Sequence, residues 1–316
     1  MRPLLETISC VGIFLVLEAS TTLIRVLPRR FVLVVTRWFA DVVFILIYPF
    51  RQRCVRNLEF AYGDALSADA IVGIARRSIR NFFYAFVEVG FALSASLDKG
   101  RSEIPIDGKA HLEKALAKHK GVIVLSAHLG NFLLLGTRLA AEGYCTRVLV
   151  KPTYRNNRRF GELMDRYRLR LGQRTIRARP RRRAAQELIQ ALRGNELAVL
   201  IADEFRSNGI AVRFFGHYVR ARRGPATLAM RTGAAVVPVN LVREGDSLKL
   251  IIEPEIELVR TGSPTQDVVA NTLRLTQWLE ATVRAYPDQW NWMTVRWQRP
   301  EPHSVHVDEE GKRRFA

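Results

Sequence analysis

An α/β fold, with a largely parallel sheet covered by helices, is what this sequence predicts, and three observations predict it. The runs at 122–125 (VIVL) and 197–202 (LAVLIA) are apolar throughout, the pattern of strands buried on both faces. Each run ends in residues that can do chemistry, Ser126-Ala127-His128 in the first case and Asp203-Glu204 in the second. Strand-like and helix-like segments then alternate from 121 to 260, which is how parallel strands acquire their crossover helices. A chain of 316 residues can bury a sizeable core, and its 48% hydrophobic content excludes wholesale disorder.

The elements follow in order. Residues 7–24 are nearly long enough to cross a bilayer, with Glu18 as their only charge. Arg25, Arg29 and Arg30 come next, and a second apolar run, 31–50, carries only Arg37 and Asp41 as charges. Arg51, Arg53 and Arg56 close it. Basic residues at both ends of the second run disfavour a pair of full spans, and no small-residue cleavage site follows the first. The expectation is one span or deeply inserted helix, then an amphipathic helix lying in the membrane interface. A pair of buried core helices is the alternative.

Residues 51–63 read as a basic connector. Ser67 is a plausible N-cap for a helix whose apolar residues, Ile71, Ile74, Ala75, Ile79, Phe82, Phe83, Phe86 and Val87, recur at three and four. A loop at 102–106 and a helix at 111–120 lead to the first buried strand; His111 and His119 sit among charges and receive no role. Beyond His128, Gly130 and Asn131 open a helix. A strand at 146–150, a helix at 156–171, an extended piece at 175–178 and a helix at 181–192 follow, the last stopped by Gly194-Asn195. After the strand at 197–202 and a segment at 212–216, Gly224-Pro225 opens another helix. Strands at 234–242 and 247–258, a long helix at 266–286 and an aromatic segment at 287–297 complete the chain before a polar, loose tail from 300.

Charge narrows the partners. Lys and Arg number 49 against 30 Asp and Glu, a net charge of +19. Nucleic acid, anionic lipid and an acidic carrier protein all satisfy that excess. The apolar amino terminus has little use in a nucleic-acid-binding protein. Only Tyr154, Phe160 and Tyr167 interleave the basic block from Arg147 to Arg183, a poor base-stacking platform. The block is rich in arginine, which favours bidentate capture of phosphate or carboxylate. Three scattered cysteines give neither a disulfide framework nor a zinc site.

Two strand ends are the candidate chemistry. His128 stands where open α/β sheets place reactive groups. If its strand neighbours the one ending at Asp203-Glu204, a carboxylate can fix one imidazole nitrogen and leave the other as a general base. Backbone N–H groups near Gly130 and Asn131 can meet an oxyanion or a phosphate. A structural histidine at a strand end and an aspartate capping a turn are the plain alternatives. No P-loop, G-x-G-x-x-G, G-x-S-x-G or paired-histidine metal motif occurs.

GVIVLSAHLGNFLLLG, LIADEF, VRFFG, RRGPATLAMRTGAAVVPV and PDQWNWMTVRW stand here in the order found in the lipid A biosynthesis acyltransferases. The chain resembles that family, the late lauroyl and myristoyl transferases with the phosphatidylinositol mannoside acyltransferases among their relatives, from the amino terminus to about residue 297. The resemblance implies a glycerolipid-acyltransferase-like fold, with membrane-associated helices at 1–50, an acyltransferase domain at 51–299 and a polar tail at 300–316. It further implies a protein of the bacterial inner membrane, facing the cytoplasm, that moves a fatty acyl chain from an acyl carrier protein or coenzyme A thioester to a lipid hydroxyl. No metal or redox cofactor is implied.

The family motif places an acid five residues after its histidine. His128 matches the histidine as general base, but the fifth position holds Leu133. Asp203 and Glu204 become the candidate acids, because the family also carries one in the segment matching IADEF. Gly130-Asn131, Arg206 or Arg222 would meet the oxyanion, and arginines of the block, among them Arg155, Arg158 and Arg159, would bind the acceptor's phosphate or the acidic carrier. A catalytically inactive paralogue that binds lipid or carrier protein is the alternative that Leu133 raises.

Overall fold

The structure is a computed structural model that describes residues 27–94, 104–150, 158–205, 209–294, 305–307 and 313–315. The expected membrane segment at 7–24 and the loop residues 102 and 103 lie outside them. Its main sheet has seven strands in the order β1-β9-β8-β2-β5-β3-β4. These are β1 (Ile106–Asp107), β2 (Val122–Ser126), β3 (Thr146–Val150), β4 (Arg174–Arg177), β5 (Leu197–Ile201), β8 (Ala235–Glu244) and β9 (Ser247–Ile252). Every neighbouring pair is parallel except β8 with β9. The largely parallel, helix-covered sheet is therefore present, with one antiparallel join.

The central strand β2 shows why the sequence folds this way. All five of its residues are buried. Val122 and Val124 point into one core with Leu134 and Leu135 of α5 (Phe132–Ala141), and Ile123 and Leu125 point into the other with Leu188 and Leu192 of α7 (Arg181–Arg193). A strand covered on both faces has no use for polar alternation, hence the continuous apolar run. The opposite face also receives α8 (Gly224–Thr232) and α9 (Pro264–Ala285).

A third core joins the amino-terminal helices to the site. Helices α1 (Arg29–Leu46), α2 (Tyr48–Tyr62) and α3 (Ala68–Ser94) enclose it with the hairpin β6 (Ile210–Phe214) and β7 (His217–Ala221) and with Trp290 and Trp292. The hairpin, read from the sequence only as a short segment at 212–216, turns on Phe215 and Gly216 with φ of 51° and 75°. A two-residue turn of this kind needs both residues left-handed, and the Phe215 N–H donates to Glu280 Oε2 at 2.7 Å, holding the unfavourable residue in place.

Other expectations need correcting. The run 31–50 is not one helix, and 51–63 is not a connector. The chain bends by 86° at Ile47 between α1 and the helix that follows. Pro49 is the reason, since it lacks an N–H for the Ile45 carbonyl and its ring would clash there. Strand β9 stops at Ile252, shortly before Pro254, rather than running to 258. The tail supplies β10 (Val305–Val307) and β11 (Arg313–Phe315), which extend the hairpin sheet. The remaining helices are α4 (Lys109–Leu116) and α6 (Arg158–Arg170).

Helix α1 is apolar on two sides. Leu33, Ala40, Val43 and Phe44 are buried, and Asp41 on that side pairs with Arg76 and Arg80 of α3 at 2.8 and 2.6 Å. Phe31, Val34, Val35, Trp38, Val42, Ile45 and Leu46 form an exposed stripe, Trp38 being 72% and Leu46 74% accessible. Among the described residues no single helix is long and apolar enough to cross a membrane.

Candidate active site

Strand register brings the two candidate ends together. Ser126 of β2 lies opposite Ile201 of β5. His128 and Asp203 each stand two residues further on, so they leave neighbouring parallel strands at the same height. The Ala202 N–H donates to the Ser126 carbonyl at 2.8 Å, carrying the pairing one residue past the strands.

Asp203 is held by three donors. Its Oδ1 lies 2.7 Å from His128 Nδ1. Its Oδ2 accepts from the His128 backbone N–H at 2.8 Å and from Trp290 Nε1–H at 2.7 Å. The Asp203 side chain is 1% exposed and the His128 side chain 31%. Burial pushes the Asp203 carboxyl up, but the charge of His128 together with these hydrogen bonds outweighs burial and holds it below the usual carboxylate range. An ionised carboxylate on Nδ1 keeps the proton there, which makes Nε2 the basic nitrogen. Glu204 points elsewhere: it pairs with Arg222 at 2.6 Å.

The segment after α9 clamps this pair. Leu129 and Trp290 form an antiparallel bridge. The Gly130 N–H donates to the Gln289 carbonyl at 3.0 Å and the Asn291 N–H to the His128 carbonyl at 2.9 Å. Trp290 is fully buried. Ser78 Oγ of α3 donates to the Trp290 carbonyl at 2.6 Å, and Asn57 Nδ2 of α2 to the Trp292 carbonyl at 2.7 Å. Sequence reasoning gave Trp290 and Asn291 no role. The dense aromatics of PDQWNWMTVRW marked the segment, but nothing local says that an indole N–H reaches an acid 87 residues away.

Gly130 and Asn131 shape the site rather than offer donors to it. Gly130 has φ 56°, and a Cβ there would meet the Leu241 carbonyl at 2.1 Å, so only glycine fits. Its N–H and that of Asn131 are engaged, the latter with the Leu241 carbonyl at 2.8 Å. The Asn131 side chain is buried, caps α5 by accepting from the Leu134 N–H at 3.2 Å, and donates to Glu88 Oε2 at 2.8 Å. Glu88 in turn pairs with Arg243 at 2.6 Å. The next two N–H groups, those of Phe132 and Leu133, begin the helix and have no intrahelical acceptor.

Phe82, Phe86, Phe132 and Leu133 line a narrow apolar pocket that also takes in His128 and Asn291. Leu133 thus faces the space beside the imidazole where the motif acid is expected. Of the basic residues, Arg155 and Arg206 lie outside the described residues, as do the side chains of Arg158 and Arg159. Several others of the block are paired internally: Arg147 with Glu196, Arg168 and Arg177 with Asp165, and Arg183 with Glu187. Arg174, Arg181 and Arg182 are exposed.

A covered, mostly parallel sheet with a histidine–carboxylate pair at its carboxyl edge, opening on an apolar pocket, is an α/β architecture of acyltransferase type. The chain belongs to the bacterial lipid A biosynthesis acyltransferase family, which matches residues 2–299. It is 30% identical over 246 residues to a phosphatidylinositol mannoside acyltransferase of Mycolicibacterium smegmatis, covering 77% of this chain and 78% of the relative. A phosphatidylinositol mannoside acyltransferase of Mycobacterium tuberculosis is 28% identical over 61% of this chain and 59% of its own. The lipid A biosynthesis palmitoleoyltransferase of Escherichia coli is 26% identical over 77% of each. A lipid-acyltransferase function follows from this membership.

Proposed function

We propose that the protein transfers a fatty acyl chain from an acyl carrier protein or coenzyme A thioester to a hydroxyl of a glycolipid at the cytoplasmic face of the bacterial inner membrane. The observation that carries the reading is His128, fixed through Nδ1 by a buried, ionised Asp203 at the edge of an apolar pocket. His128 Nε2 takes the proton of the acceptor hydroxyl as its oxygen attacks the thioester carbonyl. The N–H groups of Phe132 and Leu133 face the oxyanion, with Arg206 as a further donor. The carbon–sulfur bond then breaks, and the imidazolium returns the proton to the departing thiolate. Phe82, Phe86, Phe132 and Leu133 give the acyl chain an apolar wall, and the exposed arginines suit an anionic headgroup or an acidic carrier.

Leu133 favours a second reading, a protein that binds lipid or carrier without turnover. Asp203 supports the enzyme reading against it, because it places an acid on the imidazole by another route. The test is palmitoyl-coenzyme A incubated with the full-length protein in vesicles of bacterial lipid, with mass spectrometry of the lipids. Label in a lipid ester supports the enzyme; thioester turnover at background supports the binding protein.

The stripe on α1 bears on membrane attachment, with residues 1–50 as the attachment region and 51–299 as the transferase. Eight exposed apolar side chains on one helix, Phe39 among them, flanked by Arg29, Arg30 and Arg51 suit an interfacial helix on anionic lipid. Trp38→Glu with Leu46→Glu should weaken vesicle binding by about 100-fold or more, since each large side chain is worth about 1.5–3 kcal/mol when buried. Cosedimentation with anionic vesicles reads the loss. The fold should hold, because neither side chain is buried. Unchanged binding would show that this stripe does not attach the protein.

A further inference from the structure

One polar group in the pocket is left over after the mechanism has been assigned. Asn291 is 7% exposed and lines the pocket beside His128. Among the described residues, only its Oδ1 and the Tyr62 hydroxyl are buried side-chain polar atoms without a hydrogen-bond partner. Tyr62 lies away from the pocket among Phe215 and Trp292, whereas Asn291 is tied to the reacting histidine through its N–H to the His128 carbonyl at 2.9 Å. An unmade hydrogen bond on a buried carbonyl oxygen is costly, so such an atom at a pocket wall is a place prepared for a ligand donor. The other polar side chains around it are already engaged. Gln289 bonds the Arg243 backbone through both amide atoms, at 2.8 Å each, and Ser78 bonds the Trp290 carbonyl.

We infer that Asn291 Oδ1 accepts a hydrogen bond from a hydroxyl of the acceptor next to the reacting one and so holds the reacting O–H against His128 Nε2. The assignment rests on the acyl-transfer reading and adds to it which of the two substrates this residue touches. The chemistry selects the alcohol. A thioester carbonyl and its sulfur carry only acceptors at the reacting centre, and a carboxamide oxygen repels them. A sugar or glycerol hydroxyl carries a donor. The reacting hydroxyl has a single proton, which goes to His128 Nε2, so the donor to Asn291 is its neighbour on the acceptor. Asn291 is then a specificity-determining residue for a polyol acceptor, set between the catalytic histidine and the apolar wall that takes the acyl chain.

The test uses the full-length protein in mixed micelles with palmitoyl-coenzyme A as donor and phosphatidylinositol mannoside as acceptor. Asn291→Leu keeps the size and removes the oxygen; Asn291→Asp keeps an acceptor oxygen. For Asn291→Leu, kcat/KM for the acceptor should fall about tenfold, the worth of one neutral hydrogen bond, with KM for palmitoyl-coenzyme A unchanged. Asn291→Asp should recover most of the loss. Equal acceptor kinetics in wild type and Asn291→Leu would overturn the inference while leaving the enzyme reading intact. So would a loss shared equally by donor and acceptor constants, or a defect that Asn291→Asp does not relieve. If Asn291→Leu does not fold, acceptor kinetics of Asn291→Asp and Asn291→Ser decide: Asp close to wild type with Ser impaired supports the inference, and both at wild-type values overturn it. No transfer by the wild-type protein would remove the acyl-transfer reading and the inference with it.

Discussion

Replacing His128 by alanine should reduce acyl transfer by at least about 10³-fold, the upper range of what a positioned general base contributes. The lipid hydroxyl is a poor nucleophile until its proton is taken, and no other described residue of the pocket supplies a basic nitrogen beside the apolar wall. The fold should survive. The imidazole is partly exposed, and its backbone N–H, which donates to Asp203, is retained in the variant. Loss of the Nδ1–H bond leaves Asp203 Oδ1 underused, at a cost of about 1–3 kcal/mol. The measurement is label transfer from palmitoyl-coenzyme A into lipid, with a thermal melt alongside. A folded His128→Ala protein transferring at the wild-type rate would end the assignment of His128 as base.

Asp203→Asn should be nearly as damaging, and for a different reason. Oδ2 of Asp203 accepts from two donors, the His128 backbone N–H and Trp290 Nε1–H. In the asparagine variant those donors select the amide oxygen and turn its NH₂ toward His128 Nδ1. Nδ1 must then accept, the ring proton moves to Nε2, and the nitrogen facing the hydroxyl is no longer basic. The same tautomer inversion costs about 10⁴ in a serine-protease triad. Transfer should fall by roughly that order, while Glu204→Gln, which removes the charge paired with Arg222 and leaves the His128–Asp203 contact in place, stays within a few-fold of wild type. If Asp203→Asn and Glu204→Gln both keep the wild-type rate, the imidazole does not depend on either acid.

Asp203 also sets an acid limit on stability. Its folded pKa is depressed, burial being outweighed by the charge and hydrogen bonds of His128 and the bond from Trp290. Its contribution is therefore present above the pKa of an unfolded aspartate, near 3.8, and is lost as pH falls below it. The wild-type melting temperature should drop across that window more steeply than that of Asp203→Asn.

The departure at Leu133 is best understood through the register of the sheet. A side chain five residues past His128 sits on the first turn of α5 and approaches the imidazole from the pocket side. Asp203 approaches from the neighbouring strand and takes Nδ1. Leucine at 133 makes the pocket wall continuous with Phe82, Phe86 and Phe132, so the site gives up one charge and gains apolar surface beside the imidazole.

What the sequence by itself determined was the kind of element at each place and the residues able to do chemistry. Continuous apolar runs fixed β2 and β5 as covered strands, and their last residues named His128, Asp203 and Glu204. The order of five family segments fixed the family. Tertiary structure alone decided which acid serves the histidine, because Asp203 and Glu204 are adjacent in the chain and only the Ser126–Ile201 register puts the first against Nδ1 and the second against Arg222. It alone brought Trp290 and Asn291 to the site and showed that the N–H groups of Gly130 and Asn131 are already engaged. The physical reason is common to all of these. Local pattern reports which face of a segment avoids water, whereas hydrogen-bond partners are set by how distant segments meet, and that meeting is a property of the assembled core.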